Sequence, residues 1–369
     1  MTTIYLIRHA EAEGNLYRIV QGQSNSLLTD RGWRQVRALK KRFADIHIDA
    51  VYASDLYRTC ATASAVYRPK GLPLHRVTAL REIALGVWEQ RTWGDIYRNW
   101  PEQMANFGRN VERWHMDGAE TPRAVRQRVL EAIQNIAEEN PGKTLAIVSH
   151  GYAIRLVLAK LQGYTLAQVG KTPTGDNTAV SCLEYENGAF RVVFRDDNSH
   201  LKTPEFLANE KVSKRPNALE PGLCFAPLCL PEQKELLCDM VSSAWKDAGE
   251  TQPFDREQLL SAVEHRVTLV AFREEEPIGL VQFGTESGRI SLLYMRDDYR
   301  KRGYGVQLIG QAVQYWRPLG SETLSVVLPE GCAAEPFFRD YGFLPKETVE
   351  GHVIFEKDIR FDPEYLGHT

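Results

Sequence analysis

The stretch Ile4-Tyr5-Leu6-Ile7-Arg8-His9-Ala10-Glu11 decides the fold of the first part of this chain. Residues 4–7 are apolar or aromatic without a break, which is typical of a short strand buried on both faces of a sheet. The run ends at Arg8 and His9, and ligands of open α/β sheets gather just beyond the carboxyl ends of the strands. A guanidinium can bind a phosphate through two parallel hydrogen bonds, and a neutral imidazole can attack phosphorus. A lone Arg-His pair is also compatible with a surface arginine and a capping histidine.

Length and composition predict a two-domain protein of the cytoplasm. A chain of 369 residues exceeds a typical single domain. Its net charge of −3 gives no indication of nucleic-acid or membrane binding. We find no signal peptide, and no apolar run approaches the roughly 20 residues of a membrane helix. The six cysteines include no CxxC pair, so we expect reduced core thiols rather than a metal site.

Two further short strands are predicted to end in polar residues. The strand at 48–53 leads into Ser54-Asp55 and a helix whose first turn carries Arg58. The strand at 144–148 leads into Ser149-His150-Gly151 and another helix. Helix N-termini offer free N–H groups to anions. If the three strands are neighbours in one sheet, two arginines and two histidines converge, which suits a phosphoryl group.

The remaining signals of the first part are helix starts, a loop and a hairpin. We predict the following elements: helices that begin at Thr29-Asp30 and Thr121-Pro122, a loop at 78–88 that holds Glu82, and a β-hairpin with its turn at Asn187-Gly188. A polar, proline-containing segment then predicts a linker. The predicted boundaries are a first domain at 1–203, a linker at 204–221 and a second domain at 222–369.

These motifs resemble the signature of the histidine phosphatase superfamily, also called the phosphoglycerate-mutase-like family. Four segments carry the resemblance, in order along the chain: 6–11 with Asn15, 54–59, 80–83 with Gly86, Trp88 and Glu89, and 148–151. It covers roughly residues 1–200 and implies a three-layer α/β/α domain. Two positions depart from the family, since Gln90 and Ala119 stand where relatives commonly have glycine. Both lie at a turn or the substrate mouth, so the substrate is not indicated.

By this resemblance, His9 would take the phosphoryl group of a small phosphomonoester, and Glu82 would act as proton donor and then as base. The family pattern implies the following groups around the phosphoryl site: Arg8, Asn15, Gln21, Gly22, Arg58, His150 and Gly151. The residue types fit this chemistry, because a histidine with an ordinary pKa near 6.5 is neutral at physiological pH. A positioned carboxylic acid contributes about 10²–10⁴ in rate. The chemistry needs no metal or cofactor, and a solvated loop carboxylate is the alternative role for Glu82.

The second part contains a basic, glycine-containing loop at a helix start. Arg300-Lys301-Arg302-Gly303-Tyr304-Gly305 follows a strand predicted at 290–295 and opens a helix. Backbone N–H groups at such a start can cradle a pyrophosphate, although the short pattern is also compatible with an ordinary turn. The order of strand, two helices, three strands, loop and helix resembles the GNAT acetyltransferase superfamily over roughly 222–360. An α+β domain is implied, with acetyl-CoA bound at Met295, Arg300, Arg302, Gly303 and Gly305.

The sequence therefore predicts a bifunctional enzyme, a phosphatase joined to an acetyl-CoA-binding domain. A phosphoglycerate mutase is the first alternative, although the first domain is short for the segments that shield a mutase phosphoenzyme. A non-catalytic CoA-sensing or partner-binding second domain is another, because Phe338 stands where relatives keep the tyrosine that protonates the thiolate. Tyr341 lies three residues further on. Neither the acetyl acceptor nor the oligomeric state is indicated.

Overall fold

The computed structural model describes residues 1–208, 210, 222–247, 255–284 and 288–365. They form an α/β domain followed by an α+β domain. Most of the predicted linker lies outside the described residues, and 204–208 form a short helix. In the described part of the chain, no helix combines the length and apolar character needed to cross a membrane.

The first domain is built on one six-stranded sheet. Its strands are β1 Thr2–Arg8, β2 Ala50–Ala53, β3 Leu74–Arg76, β4 Thr144–Ser149, β5 Val180–Glu186 and β6 Ala189–Asp197. They lie in the order β3-β2-β4-β1-β5-β6. The first four of these neighbours are parallel, and the predicted hairpin β5-β6 adds an antiparallel edge.

Helices cover both faces of this sheet. They are α1 Glu13–Tyr17, α2 Asp30–Arg42, α3 Tyr57–Tyr67, α4 Trp93–Asn99, α5 Pro101–Arg109, α6 Pro122–Glu138, α7 Gly151–Leu161 and α8 Pro204–Ala208. Because successive strand residues point to opposite faces, Ile4 and Leu6 pack with α6 and α7, whereas Ile7 packs with α2 and α3. Two apolar cores result, one on each face, which is the three-layer architecture the sequence predicts.

Strand register brings the three polar strand ends together. Arg8 is the register partner of Ser149, so His9 and His150 follow their strands at the same level. On the other side of β4, Ala53 is paired with Val148, which places Ser54 beside Ser149. The condition for convergence is therefore met, because β4 lies between β1 and β2.

The second domain is an α+β unit of two antiparallel sheets. Its strands are β7 Cys224–Pro227, β8 Val267–Arg273, β9 Glu276–Phe283, β10 Ile290–Met295, β11 Thr323–Pro329, β12 Leu344–Val349 and β13 His352–Asp358. Its helices are α9 Lys234–Asp247, α10 Arg256–Glu264, α11 Gly305–Trp316 and α12 Glu335–Asp340. The sheet orders are β10-β9-β8-β7 and β11-β13-β12, and one parallel bridge between Arg289 and Ser325 joins them.

The two domains share apolar cores. Tyr17 and Ile19, which follow the first strand, are buried in the core of the second domain. In the opposite direction, Tyr365 packs in the first domain against Tyr57, with ring centroids 5.7 Å apart. Each domain therefore completes its core with a few residues from the part of the chain that forms the other domain.

Helices α1, α4 and α5 of the first domain were not predicted. Helices α4 and α5 occupy 93–109, where Pro101 divides the periodic pattern of four aromatic residues between two short helices. A usable signal was present, because Thr92 and Asp95 form a capping box. The sequence also predicts that the first strand of the second part spans 223–230, but the observed strand β7 is shorter, since its pairing with β8 ends at Pro227.

Candidate active site

His9 lies at the end of β1 in a conformation that leaves one ring nitrogen available. Its Nδ1 lies 2.8 Å from the Ala10 carbonyl oxygen. Because a carbonyl only accepts, Nδ1 carries the proton and Nε2 carries the lone pair. Asn177 Nδ2 donates to the His9 carbonyl at 3.0 Å and fixes the main chain. Within the described residues Nε2 has no hydrogen-bond partner, so its lone pair is available toward the site.

Arg8 is held against the start of helix α7. One terminal nitrogen donates to the Gly175 carbonyl. A Cβ added to Gly151 would come within 2.9 Å of Arg8 Nε, so glycine at 151 is what lets the guanidinium approach the helix. The side chain therefore lies beside the N–H groups that begin α7, and both kinds of donor favour an anion.

Arg58 reaches the site from the first turn of α3. The residue is 1% exposed, and its two terminal nitrogens donate to the carbonyls of Ser24 and Gly22 at 2.8 Å each. Gly22 adopts φ +49°, and a Cβ there would clash with Glu89. Gly22 therefore shapes the turn that holds Arg58 and supplies it with an acceptor, which gives a physical reason for this residue in the family pattern.

His150 lies directly opposite His9. Their ring centroids are 5.3 Å apart, and His150 is fully buried. Its Nε2 lies 2.9 Å from the Ser54 hydroxyl. When that hydroxyl donates to Nε2, the ring keeps its proton on Nδ1 and can donate it to a phosphoryl oxygen.

Burial and mutual repulsion keep both histidines neutral. The pKa of His9 is held well below its usual value by burial and by the nearby cations Arg58 and Arg8. The pKa of His150 is lowered in the same way by burial, Arg58 and His9. Burial also lowers the pKa of Arg58 to about 10, which leaves it charged at neutral pH. The site thus combines neutral imidazoles with fixed positive charge.

Three buried nitrogens in this site have no partner. Arg8 Nε, Arg58 Nε and His150 Nδ1 are shielded from solvent and find no hydrogen-bond acceptor among the described residues. An unpaired buried donor costs about 1–3 kcal/mol, and native proteins rarely tolerate several together. Three such donors around one histidine form a set that fits an anion.

Glu82 faces the same centre from the predicted loop. Its carboxylate accepts from the backbone N–H groups of Tyr152 at 3.0 Å and Ala153 at 2.9 Å. Its charge also raises the pKa of Arg8 and Arg58 against the effect of burial. The carboxylate is therefore a fixed part of the electrostatics of the site and not a solvated loop residue.

The other predicted phosphoryl ligands, Asn15 and Gln21, lie at the edge of the site. Asn15 Oδ1 accepts from the backbone N–H of Ala12 at 3.0 Å, so the amide nitrogen of Asn15 points away from Ala12. Gln21 packs over Gly14 and accepts from Ser26 at 2.6 Å. Arg8 and Asn15 also line a cavity of about 760 Å³, whose lining does not include His9.

The predicted acetyl-CoA loop is assembled less completely. Arg300 is engaged by Asp247 and Asp297 and donates to the Met295 carbonyl at 2.7 Å, so it is not free for a ligand. Arg302 is exposed and lies over the Tyr299 ring. The backbone N–H groups of this loop are therefore better placed to bind a pyrophosphate than the side chains of Arg300 and Arg302.

The glycines of the loop give it that fit. Gly303 has φ +83°, which favours glycine, and Gly305 begins helix α11. Their N–H groups donate to no other group in the part of the chain that the structure describes. Free N–H groups at the start of a helix are the elements of a phosphate cradle.

Phe338 and Tyr341 differ in where they lie. Phe338 is 3% exposed and packs against Phe343 in the core, so it does not reach a ligand. Tyr341 lines the cavity that Arg8 and Asn15 also line. A tyrosine is thus present near the cradle, but on the side that faces the first domain.

Sequence reasoning missed several supporting groups. Asn177 anchors His9, and Thr62 accepts from the Ala10 N–H at 2.9 Å. Both are distant from the motifs in sequence, and no local signal identifies them. Gln90 adopts φ +66°, which explains why relatives have glycine there, and its carbonyl accepts from Gln314 of the second domain at 2.6 Å. In the described chain, no group of three His, Cys, Asp or Glu residues could hold a metal ion.

Comparison with known proteins matches each domain to a family. Residues 4–198 match the model of the histidine phosphatase superfamily, branch 1, and residues 237–361 match that of the GNAT acetyltransferase domain. The probable phosphoglycerate mutase GpmB of Salmonella typhi is 29% identical over 212 residues, or 55% of this chain and 97% of that protein.

Solved structures match the same half of the chain. YhfR of Bacillus stearothermophilus is 32% identical with a TM-score of 0.53, over 55% of this chain and 100% of that one. The mycobacterial glucosyl-3-phosphoglycerate phosphatase, 22% identical with a TM-score of 0.50, covers 53% of this chain and 99% of its own and shares the fold. The four motifs, the sheet and these matches agree, and the chain belongs to the histidine phosphatase superfamily.

Proposed function

We propose that the first domain hydrolyses a small phosphomonoester through a phosphohistidine at His9. The observation that carries this proposal is the set of unpartnered, buried donors around a neutral histidine, Arg8 Nε, Arg58 Nε and His150 Nδ1. They surround the place where three phosphoryl oxygens would lie. Phosphoryl transfer is catalysed mainly by preorganised donors of this kind, which stabilise the charge of the transition state.

The reaction runs in two steps at one site. His9 Nε2 forms a bond to phosphorus while the bond to the ester oxygen breaks, and Glu82 supplies the proton that the leaving oxygen takes. The same carboxylate, now without that proton, removes one from water as the water attacks the phosphohistidine. Phosphate leaves, and His9 Nε2 regains its lone pair. Asn15, Gln21, Gly22 and Gly151 shape the site around the phosphoryl group.

A phosphoglycerate mutase is the alternative that the relative in Salmonella typhi keeps open. A mutase returns the phosphoryl group to a second hydroxyl, whereas a phosphatase gives it to water. We expect steady phosphate release from a panel of small phosphomonoesters in the absence of any primer. A protein that releases no phosphate but interconverts phosphoglycerates when 2,3-bisphosphoglycerate is added would be a mutase.

For the second domain we propose acetyl-CoA binding through the backbone of the loop at 300–305. Free N–H groups at Gly303 and Gly305 support it. Acetyl transfer is less well supported than binding, because Phe338 is buried in the core. Calorimetry with acetyl-CoA tests binding, and an amine panel with thiol detection tests transfer. Binding without transfer favours the non-catalytic CoA-sensing module.

The second domain completes the proposal of a bifunctional protein of the cytoplasm. Five of the six cysteines are buried, whereas Cys229 is exposed, so the expectation of core thiols is wrong at that position.

A further inference from the structure

One cavity is shared by the two domains. Its volume is about 760 Å³, and its walls come from both sides of the domain interface. The first domain contributes Arg8 and Asn15 from the phosphoryl site. The second contributes Gly303 and Val306 from the start of α11, together with Tyr341. The cavity therefore adjoins both the predicted phosphoryl site of the first domain and the predicted cofactor loop of the second.

Buried contacts join the two domains at the interface that frames this cavity. Arg317 binds the Glu13 carboxylate through two hydrogen bonds of 2.9 and 3.0 Å, and Glu13 is 5% exposed. Tyr17 packs so closely on Gly310 that a Cβ there would lie 2.5 Å from it. Helix α1, which carries Asn15, is thereby fixed against α11, which begins at the cradle. The cavity cannot widen by separation of the domains without breaking a buried ion pair.

The size of the cavity decides how many ligands it holds. Sites for single small molecules and cofactors span roughly 300–1,000 Å³. A cavity of about 760 Å³ therefore holds one such molecule. A CoA-type nucleotide with its diphosphate on the Gly303 and Gly305 N–H groups must place part of its body here. Arg8 and Asn15 line this cavity, so the body of a phosphomonoester that extends past them from His9 enters it too.

We propose that a CoA-type nucleotide at the loop and a phosphomonoester at His9 exclude one another from this shared cavity. This inference rests on the proposed function of both domains. The acetyltransferase domain then acts as a wall of the phosphatase site, and Tyr341 contacts whichever body is present. Binding of the nucleotide switches phosphate release off by competition, and the coupling is reciprocal.

The test uses dephospho-CoA, which keeps the diphosphate but has no phosphomonoester for His9 to attack. Calorimetry first gives its dissociation constant on the full chain. At about ten times that concentration, KM for p-nitrophenyl phosphate should rise about 11-fold while kcat stays the same. In the reverse direction, benzylphosphonate, whose C–P bond resists hydrolysis, should weaken dephospho-CoA binding in calorimetry.

Two variants locate the effect. Gly303→Glu places a carboxylate in the cradle and should abolish both the binding heat and the rise in KM. Val349→Glu adds the same charge to an exposed strand residue that does not line the cavity and should leave both intact. Melting curves show whether each variant is folded, and the wild-type competition stands even if Gly303→Glu is not.

Each other outcome overturns the inference in its own way. Dephospho-CoA that binds in calorimetry but leaves KM unchanged, or that lowers kcat alone, means that the two ligands do not share space. Inhibition that persists in a folded Gly303→Glu variant places the nucleotide elsewhere. Absence of any binding heat removes the proposed CoA function, and the phosphatase proposal is then judged separately by its own assay.

Discussion

The two proposed anion sites of this chain are assembled to different degrees. Around His9, the Nε atoms of Arg8 and Arg58 are buried and have no acceptor among the described residues. At the loop of 300–305, the corresponding arginine is already neutralised by Asp247 and Asp297. Desolvated, unpaired charge interacts strongly with a ligand, whereas an exposed and paired charge contributes little. The first site therefore derives its strength from side chains and the second from backbone N–H groups.

This difference shows that a residue that matches a motif does not by that match alone acquire the function of the motif. Arg8 ends a strand and Arg300 follows one. The Nε atom of Arg8 has no acceptor among the described residues, whereas that of Arg300 donates to the Met295 carbonyl. The distinction comes from what surrounds each guanidinium, and those neighbours lie far away in sequence. Four predictions test this comparison.

Exchange of arginine for methionine should separate the two sites most clearly. Arg58→Met should lower kcat by about 10²–10³, because a preorganised donor to the transferring group is lost. Arg300→Met should change acetyl-CoA affinity by less than about threefold, since an exposed ion pair is worth about 0–1 kcal/mol. Steady-state kinetics and calorimetry measure the two effects. Equal losses at both sites would remove the distinction.

Glu82→Gln tests whether the carboxylate is an acid or only a structural acceptor. Turnover of alkyl phosphates should fall by about 10²–10⁴, since their leaving oxygen needs a proton. Turnover of p-nitrophenyl phosphate should fall less, because nitrophenolate leaves without one. Glutamine keeps the shape and one acceptor oxygen for the N–H of Tyr152 or Ala153. The same loss on both substrates would point to a structural role.

The neutral histidines predict a pH profile. Since the folded pKa of His9 lies well below its ordinary value of 6.5, kcat/KM for p-nitrophenyl phosphate, whose leaving group needs no acid, should not fall as pH falls through 6.5. The pH dependence of the unfolding free energy has the opposite sign to that of a histidine in a salt bridge, whose pKa is raised by folding. The unfolded chain takes up protons that folded His9 and His150 refuse, so the stability present above pH 6.5 is lost as pH falls below it. A loss of kcat/KM with a midpoint at 6.5 would show an unshifted nucleophile.

Gln90→Gly should produce the smallest effect, at the domain interface. Gln90 has φ +66°, and a non-glycine residue there costs about 1 kcal/mol or more. Glycine keeps the carbonyl that Gln314 binds at 2.6 Å and loses only the weaker side-chain acceptor at 3.2 Å. We expect a gain of several tenths of a kcal/mol to about 1 kcal/mol in unfolding free energy.

Gln90→Ala is the matched control, since it removes the same side chain and keeps the strain. Chemical unfolding of the three proteins gives the comparison. A glycine variant that is no more stable than the alanine variant would mean that the backbone strain at this position is negligible.

The phosphoryl site could be predicted because its parts are local. Each strand end carries its own polar residues, and buried strands are recognisable from four apolar residues such as 4–7. Parallel strands then meet at one edge, as the register of Arg8 and Ser149 shows. Helix N-caps at Thr29 and Thr121 were likewise readable, because the capping hydrogen bonds span three residues.

The interface could not be predicted because its contacts are remote in sequence. Glu13 and Arg317 are 304 residues apart, and nothing around either one identifies the partner. Tyr17 and Ile19 look like core residues of the first domain, but they are buried in the second. The shared cavity depends on these contacts, so it appears only when both domains are placed together.

The central claim is that His9 carries the phosphoryl group during turnover. A phosphomonoester labelled with ³²P, mixed with the full chain and quenched in denaturant at alkaline pH, should leave label on the wild-type protein. Phosphohistidine is stable to base and lost in acid, and peptide mapping should place it on residue 9. His9→Ala should show neither label nor phosphate release, although it should melt normally and still bind acetyl-CoA. Label on a folded His9→Ala protein at the wild-type level would contradict the account.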